Sequence, residues 1–392
     1  MSSRAIRPYA PTPNGGDNGA VRELTDGSTA IVRGAVEAGC DFFAGYPITP
    51  ASQILTAMTR EMPKVGGVAI QAEDEISSIG MCIGATMAGS RAMTATSGPG
   101  LSLYSENIGM AVMGEIPLVI VDVQRLGPST GGATTAAQGD VQFVRWGTGG
   151  GYPIIALAPS SVPECYSLTM KAFDLAERFR CPVFLLTDKE LNLTATTVDI
   201  DSYVKVDVRP RSRRTHDEAA DPPYSYDPPD AVGSLATYGD PATVRFTGST
   251  HDENAYISKD PATVGALNEH LVAKIRDHQD EIDMVIADLD PDATTAFVSY
   301  GITAGAMREA ARTARAAGQK VSMATINSLW PVPEEAIGAI VEQHDRVVVG
   351  ELNHGQYRRE IDRLARDATE IVGVHRNDGT LITPEDFLEA LV

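Results

Sequence analysis

The segment Asp41-Phe42-Phe43-Ala44-Gly45-Tyr46-Pro47-Ile48-Thr49-Pro50 decides the architecture. An apolar run short enough for one strand, 41–45, breaks at a turn on Tyr46-Pro47, and a helical pattern follows over 51–62. Ahead of it, 28–39 reads as a helix closed by Gly39. Strand-like runs then recur at 67–70, 92–96, 118–123, 152–156 and 183–187, with helical stretches between most of them. Such alternation predicts an α/β fold with a doubly wound, mostly parallel sheet.

At 392 residues the chain is too long for one ordinary domain. The first 24 residues, rich in Pro, Gly and Asn, read as an arm. Residues 25–198 make the first α/β domain. Over 199–250 the pattern gives way to Pro-, Asp- and Tyr-rich sequence, including Asp221-Pro222-Pro223 and Asp227-Pro228-Pro229, which reads as a long linker or excursion. A connecting helix at 261–277 carries that region to residue 280. A second α/β domain, 281–392, holds strands at 284–287, 295–300, 321–326 and 347–350 and a helix at 304–317.

The formal charge of −20 argues against nucleic acid as a partner, and the basic cluster 209–214 lies in a Pro-rich stretch that suits a structural loop. No window approaches the roughly 20 apolar residues of a membrane span, and the N-terminus has no apolar signal core, so a cytoplasmic protein is expected. Cys40, Cys82, Cys165 and Cys181 are too widely spaced for a cluster or zinc ribbon and read as small buried hydrophobes.

Four segments could carry chemistry. Gly45 to Pro50 follows a strand, where open parallel sheets bind ligands, and could aim the Thr49 hydroxyl at one; equally, Thr49 could cap a helix with Pro50 at its first position. Glu73-Asp74-Glu75 opens a helix rich in small residues, at 77, 78, 80, 84, 85 and 88, expected to pack closely against something. Three acids there either complement the helix dipole or include one buried carboxylate able to hydrogen-bond a heteroaromatic nitrogen and drive amine–imine tautomerisation. Thr96-Ser97-Gly98-Pro99-Gly100 is a turn whose glycines let backbone approach a ring. Arg125, ending the strongest strand, suits a substrate carboxylate or a surface salt bridge.

Together these segments resemble the α subunit of 2-oxoacid:ferredoxin oxidoreductases of the 2-oxoglutarate type. The Tyr46-Pro47-Ile48-Thr49-Pro50 turn is similar to the family's signature, Glu75 with Gly84 nine residues on is similar to the acid and small-residue helix of thiamine pyrimidine domains in general, and Gly127-Pro128-Ser129-Thr130-Gly131 with Gln138-Gly139-Asp140 is similar to the form in 2-oxoglutarate and related members. His251-Asp252-Glu253, Leu329-Trp330-Pro331-Val332-Pro333 and Glu351-Leu352-Asn353-His354-Gly355-Gln356 continue the likeness. The resemblance implies a thiamine pyrimidine-binding domain followed by a transketolase C-terminal-like domain. It places the pyrimidine end of thiamine diphosphate among Tyr46, Pro47, Ile48, Thr49, Glu75, Ser97 and Gly98. Glu75 would bond the aminopyrimidine nitrogen, with Glu73 its rival, Thr49 would lie by the thiazolium and substrate, and Arg125 would hold the 2-oxoacid carboxylate.

The superfamily holds Mg²⁺ on a Gly-Asp-Gly segment with a downstream Asn. Here Gly139-Asp140 is followed by Val141, and Gly16-Asp17-Asn18 lies in the arm. The resemblance therefore implies a partner β subunit carrying Mg²⁺, the diphosphate site and a [4Fe-4S] cluster, in an (αβ)₂ assembly. The implied reaction is oxidative decarboxylation of a 2-oxoacid, favoured as 2-oxoglutarate, with coenzyme A as co-substrate and ferredoxin as electron acceptor, or its reverse. The rival readings are a subunit of a transketolase-type transferase or decarboxylase and a catalytically silent scaffold.

Overall fold

A computed structural model describes residues 6–9, 21–215, 218, 221–241 and 244–391. The segment Gly16-Asp17-Asn18 and most of the arm lie outside the described residues. Two described pieces of the arm are strands. β1 (Ile6–Pro8) runs into the second domain's sheet, and β2 (Arg22–Thr25) leads into helix α1 (Gly27–Glu37), whose N-cap Asp26 accepts a hydrogen bond from Thr29 N at 2.8 Å.

The first domain then follows the expected alternation: β3 (Phe42–Gly45), α2 (Ser52–Glu61), β4 (Val68–Gln71), α3 (Glu75–Met87), β5 (Ala92–Thr96), α4 (Gly98–Met113) and β6 (Leu118–Gln124). After a loop come α5 (Val141–Trp146), β7 (Ile155–Leu157), α6 (Val162–Phe179), β8 (Pro182–Asp188), α7 (Lys189–Leu193) and β9 (Thr196–Asp199), which pairs antiparallel with β2. Strands β7-β8-β6-β5-β3-β4 lie side by side and parallel. Every residue of β6 and β8 is buried, as a parallel strand covered on both faces requires.

Alternation along β6 sends Leu118 and Ile120 into the core under α3 and α4, and Val119, Val121 and Val123 into the one under α1, α2 and α6. Each fully buried Leu, Ile or Val contributes on the order of 2 kcal/mol. Asp122 is the one acid inside this apolar strand, and it is fully buried.

The connecting helix α8 (Pro261–Arg276) leads to the remaining elements, β10 (Val285–Asp288), β11 (Thr295–Ser299), α9 (Thr303–Ala316), β12 (Val321–Ile326), β13 (Ser328–Trp330), α10 (Glu334–Gln343), β14 (Arg346–Glu351), α11 (Arg358–Asp362), β15 (Glu370–His375) and α12 (Pro384–Glu389). The second domain's sheet has the order β1-β10-β12-β11-β14-β15. β13 leaves that domain and adds antiparallel to β7 at the edge of the first sheet, so the two halves share a continuous apolar core that includes Trp330 and Tyr357.

Of the two readings of 199–250, the described residues bear out the excursion: they pack against the first domain. Arg209 binds Asp174 at 2.7 Å, Arg211 binds Glu177 at 2.6 Å and Arg213 donates to Gly89 O at 2.7 Å, the structural role expected of that basic loop. Tyr224 and Tyr226 are buried against Ala255, Leu267 and Leu271, so the aromatic residues that marked the stretch as irregular also supply its anchor. All four cysteines are buried and free. Among the described residues no helix is long and apolar enough to cross a membrane.

Candidate active site

The segments singled out in the sequence converge at the carboxyl ends of β3, β4, β5 and β6, which are adjacent strands. From β3 the chain moves outward to β4, and from β5 it moves the other way to β6. The crevice between β3 and β5 is therefore a topological switch point, where open α/β sheets bind ligands.

After β3, the Tyr46 to Pro50 turn leaves Tyr46 and Pro47 exposed and Thr49 half-buried. Thr49 does not cap α2: the cap position is Ala51, with no side-chain hydrogen bond, so the Thr49 hydroxyl remains available. Helix α3 is capped instead by Asp74, whose carboxylate accepts from Ser77 N at 2.7 Å in a capping box.

That cap separates the three acids. Asp74 is structural, Glu73 is exposed, and Glu75 points inward with its residue only 9% exposed. Among the described residues the Glu75 carboxylate has no hydrogen-bond partner. Ser78, one turn on, ties α3 to α4 and β5 through Tyr104, whose hydroxyl lies 3.1 Å from Ser78 Oγ and 2.8 Å from Thr94 Oγ1.

Of the small residues of α3, Ser78 packs inside this chain, and the glycines do not. The buried face is Glu75, Ser78, Ile79, Cys82, Ile83 and Thr86, whereas a Cβ added at Gly80 or Gly84 would meet nothing. Bulk faces the sheet, and Gly80 and Gly84 face outward, on the side of the exposed Ile76 and Met81.

After β5, the turn supplies a wall. A Cβ on Gly100 would lie 2.1 Å from Thr96 Oγ1, 2.8 Å from Glu75 Cγ and 3.0 Å from Glu75 Oε1, so only glycine lets Glu75 sit there. Thr96 Oγ1 and Ser97 Oγ are buried without partners. A buried carboxylate, unused hydroxyls and a glycine-lined approach fit the polar edge of an aminopyrimidine ring, which needs an acceptor and donors in a close slot.

After β6, Arg125 is 7% exposed and donates from Nη1 to Thr49 O at 2.5 Å and from Nη2 to Thr130 O at 3.1 Å. Burial lowers its pKa from the usual arginine value, and Asp140 opposes that shift. Its Nε is buried and unpaired, and two of its five N–H groups are used, leaving donors for an anion. The 127–131 loop folds back through Gly132 N to Leu126 O at 2.8 Å, and Gly131 adopts φ 44° where a Cβ would strike Leu126 O.

Sequence reasoning missed what lies behind this front. Asp122 and Asp140 bring their carboxyls together, and a Cβ on Gly98 would lie 3.3 Å from both oxygens of Asp140. A lone acid inside the buried strand was the available signal. Gln138 was quoted only as a motif residue, yet it joins the two domains: its N donates to Leu352 O at 2.8 Å, its Oε1 accepts from Leu352 N at 3.1 Å, and its carbonyl accepts from Asn353 Nδ2 at 2.6 Å. Gln356 Nε2 donates to Gly139 O at 2.6 Å. The Asn353 to Gln356 turn thus holds the strand-end loop that delivers Asp140.

Comparison with known proteins agrees with this arrangement. Residues 33–268 match the family described as pyruvate flavodoxin/ferredoxin oxidoreductase, thiamine diphosphate-binding, and residues 293–387 match pyruvate:ferredoxin oxidoreductase core domain II. The 2-oxoglutarate synthase subunit KorA of Methanocaldococcus jannaschii is 41% identical over 370 residues, covering 94% of this chain and 99% of that protein.

Among solved structures, 2-oxoglutarate:ferredoxin oxidoreductase from Magnetococcus marinus, with 2-oxoglutarate, coenzyme A and succinyl-CoA bound, superposes with a TM-score of 0.87 at 31% identity. The match covers 94% of this chain and 64% of that longer one. A split-gene transketolase, an inactive β₄ tetramer, shares the fold alone at 11% identity and a TM-score of 0.53. Its likeness spans both domains, in accord with a pyrimidine-type domain followed by a transketolase C-terminal-like one. The extent of these matches and the order of the motifs at the strand ends lead to one conclusion: the chain belongs to the 2-oxoacid:ferredoxin oxidoreductase family, as an α-type subunit.

Proposed function

We propose that the chain holds the pyrimidine end of thiamine diphosphate in a cytoplasmic oxidoreductase that converts 2-oxoglutarate and coenzyme A to succinyl-CoA and carbon dioxide, releasing two electrons and a proton, or runs the reverse. The observation that carries this reading is Glu75: an acid only 9% exposed and without a hydrogen-bond partner among the described residues, walled by Gly100 beside the unpaired Thr96 hydroxyl. When bound, thiamine diphosphate supplies the nucleophilic carbon and the electron sink.

The residues of this chain do the rest. Glu75 accepts a hydrogen bond from the ring nitrogen and holds or releases the proton there. Thr49 lines the reacting end, and Tyr46, Pro47, Ile48, Ser97 and Gly98 shape the slot. Arg125 keeps spare donors for the substrate carboxylate, which fixes the keto carbon for attack. Excluding water around these groups strengthens each interaction.

A β subunit completes the site with Mg²⁺, the diphosphate contacts and a [4Fe-4S] cluster, as an (αβ)₂ assembly that passes electrons to ferredoxin. Support on this chain is the outward face of α3, where Gly80 and Gly84 lie open beside the exposed Ile76 and Met81. The test is co-expression with a candidate β subunit and an assay for coenzyme A-dependent viologen reduction over a panel of 2-oxoacids. Reduction with 2-oxoglutarate, lost in Glu75→Gln complexes that assemble and load cofactor normally, supports the assignment. A fully loaded complex that is silent with every 2-oxoacid refutes it.

A further inference from the structure

Behind the substrate side of the site, two acids face each other with no donor between them. Asp122 is fully buried in β6, and neither of its carboxylate oxygens has a partner; Asp140 Oδ2 is likewise buried and unpaired. The neighbouring strands place Thr96 and Leu186 opposite Asp122, so neither neighbour brings a charge to it.

Asp140 is held from several sides. Its N–H donates to Gln124 Oε1 at 3.1 Å, and Gln356 grips the preceding carbonyl. Its carboxyl abuts Gly98 at the N-terminus of the 16-residue α4, where a helix favours an anion. Arg125 is the cation acting on it among the described residues; Glu75 lies across Gly100, and Asp188 is engaged by Ile302 N, Leu191 N and Gln138.

Two carboxylates cannot both stay ionised in contact inside a protein, and a proton between them supplies the missing donor. We propose that Asp122 and Asp140 share one proton, and that the single charge left on Asp140 is a positioning element that seats the Ser97–Gly98 turn and moderates Arg125, setting how tightly the site holds an anionic substrate. Burial pushes both carboxyls up, Asp140 to about 6 and Asp122 well above the usual range, in the same direction as the geometry. The role assigned to Arg125 rests on the oxidoreductase reading; the shared proton does not.

The pair can be read without turnover. Infrared spectra of the resting α–β complex at neutral pH, recorded in an Asp283→Asn background because Asp283 itself titrates at about 7, are expected to show the carbonyl band of a buried protonated carboxylic acid, removed by Asp122→Asn and by Asp140→Asn and retained in Glu75→Gln. Each single variant keeps one charge, because the new amide donates to the remaining carboxylate. The double variant loses it, frees Arg125, and is expected to lower KM for the 2-oxoacid roughly five- to tenfold relative to either single variant, with a smaller change in kcat.

A wild-type spectrum without the band, or a band lost only in Glu75→Gln, overturns the shared proton. Equal KM values in single and double variants overturn the link to Arg125. A complex that shows the band yet turns over no 2-oxoacid leaves the pair standing and removes the substrate assignment instead.

Discussion

The guanidinium of Arg125 donates to the main-chain carbonyl of Thr49 at 2.5 Å, so the cation offered to substrate is also the strut of the turn that presents Thr49. A lysine can keep the charge and reach one of the carbonyls at Thr49 and Thr130, but not both and a substrate together. Arg125→Lys is therefore expected to raise KM for the 2-oxoacid about tenfold or more, the loss of one or two charge-assisted hydrogen bonds, and to lower kcat as the turn loosens. Steady-state kinetics on the assembled complex decide it, and unchanged constants would remove Arg125 from the site.

Gly100 tests the wall behind Glu75. An added methyl would meet Thr96 Oγ1 and Glu75 Cγ at sub-contact distances, and since α4 is pinned through Tyr104, the side chain of Glu75 has to give way. Gly100→Ala is expected to cost about 1–3 kcal/mol of stability from overpacking and to reduce kcat at least as severely as Glu75→Gln does. Calorimetry and kinetics together check it. An alanine variant with full activity would mean that Glu75 is not fixed where the reaction needs it.

How far the sequence led depended on whether the signal was local. The β3 to β8 alternation was legible because each strand is a short apolar run between helical patterns, and the core strands β5, β6 and β12 fall within a residue of their expected limits. The family resemblance favours Glu75 over Glu73, and the Asp74 cap explains physically why the two point apart. Partnerships across distance were not legible. Nothing in Ile6–Pro8 announces that it pairs with β10, nor in Ser328–Trp330 that it crosses to β7, because strand pairing is set by tertiary packing rather than by the strand's own residues. Gln138 and Asp140 likewise took their meaning from residues on other elements.

The excursion's anchorage depends on a buried charge cluster. Glu115 Oε2 accepts from Lys274 Nζ at 2.8 Å and lies 2.9 Å from His270 Nε2, with all three side chains almost fully buried. Burial pushes the Glu115 carboxyl up, but the combined pull of Lys274, Arg180 and His270 overcomes it and holds the carboxyl well below its ordinary range. A depressed carboxyl contributes stability that is present above the unfolded value and lost as pH falls through the folded one. Lys274→Met strands the charge and is expected to cost about 3–5 kcal/mol near neutrality, a deficit that narrows as pH is lowered. Urea titrations at neutral and acidic pH measure both, and a deficit independent of pH would point to packing instead.

Asp283 offers the opposite sign. Burial, with Glu335, Asp280 and Glu334 nearby, pushes its carboxyl up to about 7 against a hydrogen bond from Gln279, and its Oδ1 has no partner. The unfolded chain ionises near the ordinary value of about 4, so the native state binds the extra proton. Stability from this group is fully present below about 4 and drains away as pH rises to about 7. Asp283→Asn keeps the shape, cannot ionise and gives Oδ1's neighbours an amide instead. It is expected to raise the thermal midpoint by about 2–4 °C at pH 8 and to leave it nearly unchanged at pH 4. Melting curves of the two proteins across that range test the sign directly: a gain confined to acid, or none at either end, would show that Asp283 is ionised in the folded chain at neutral pH.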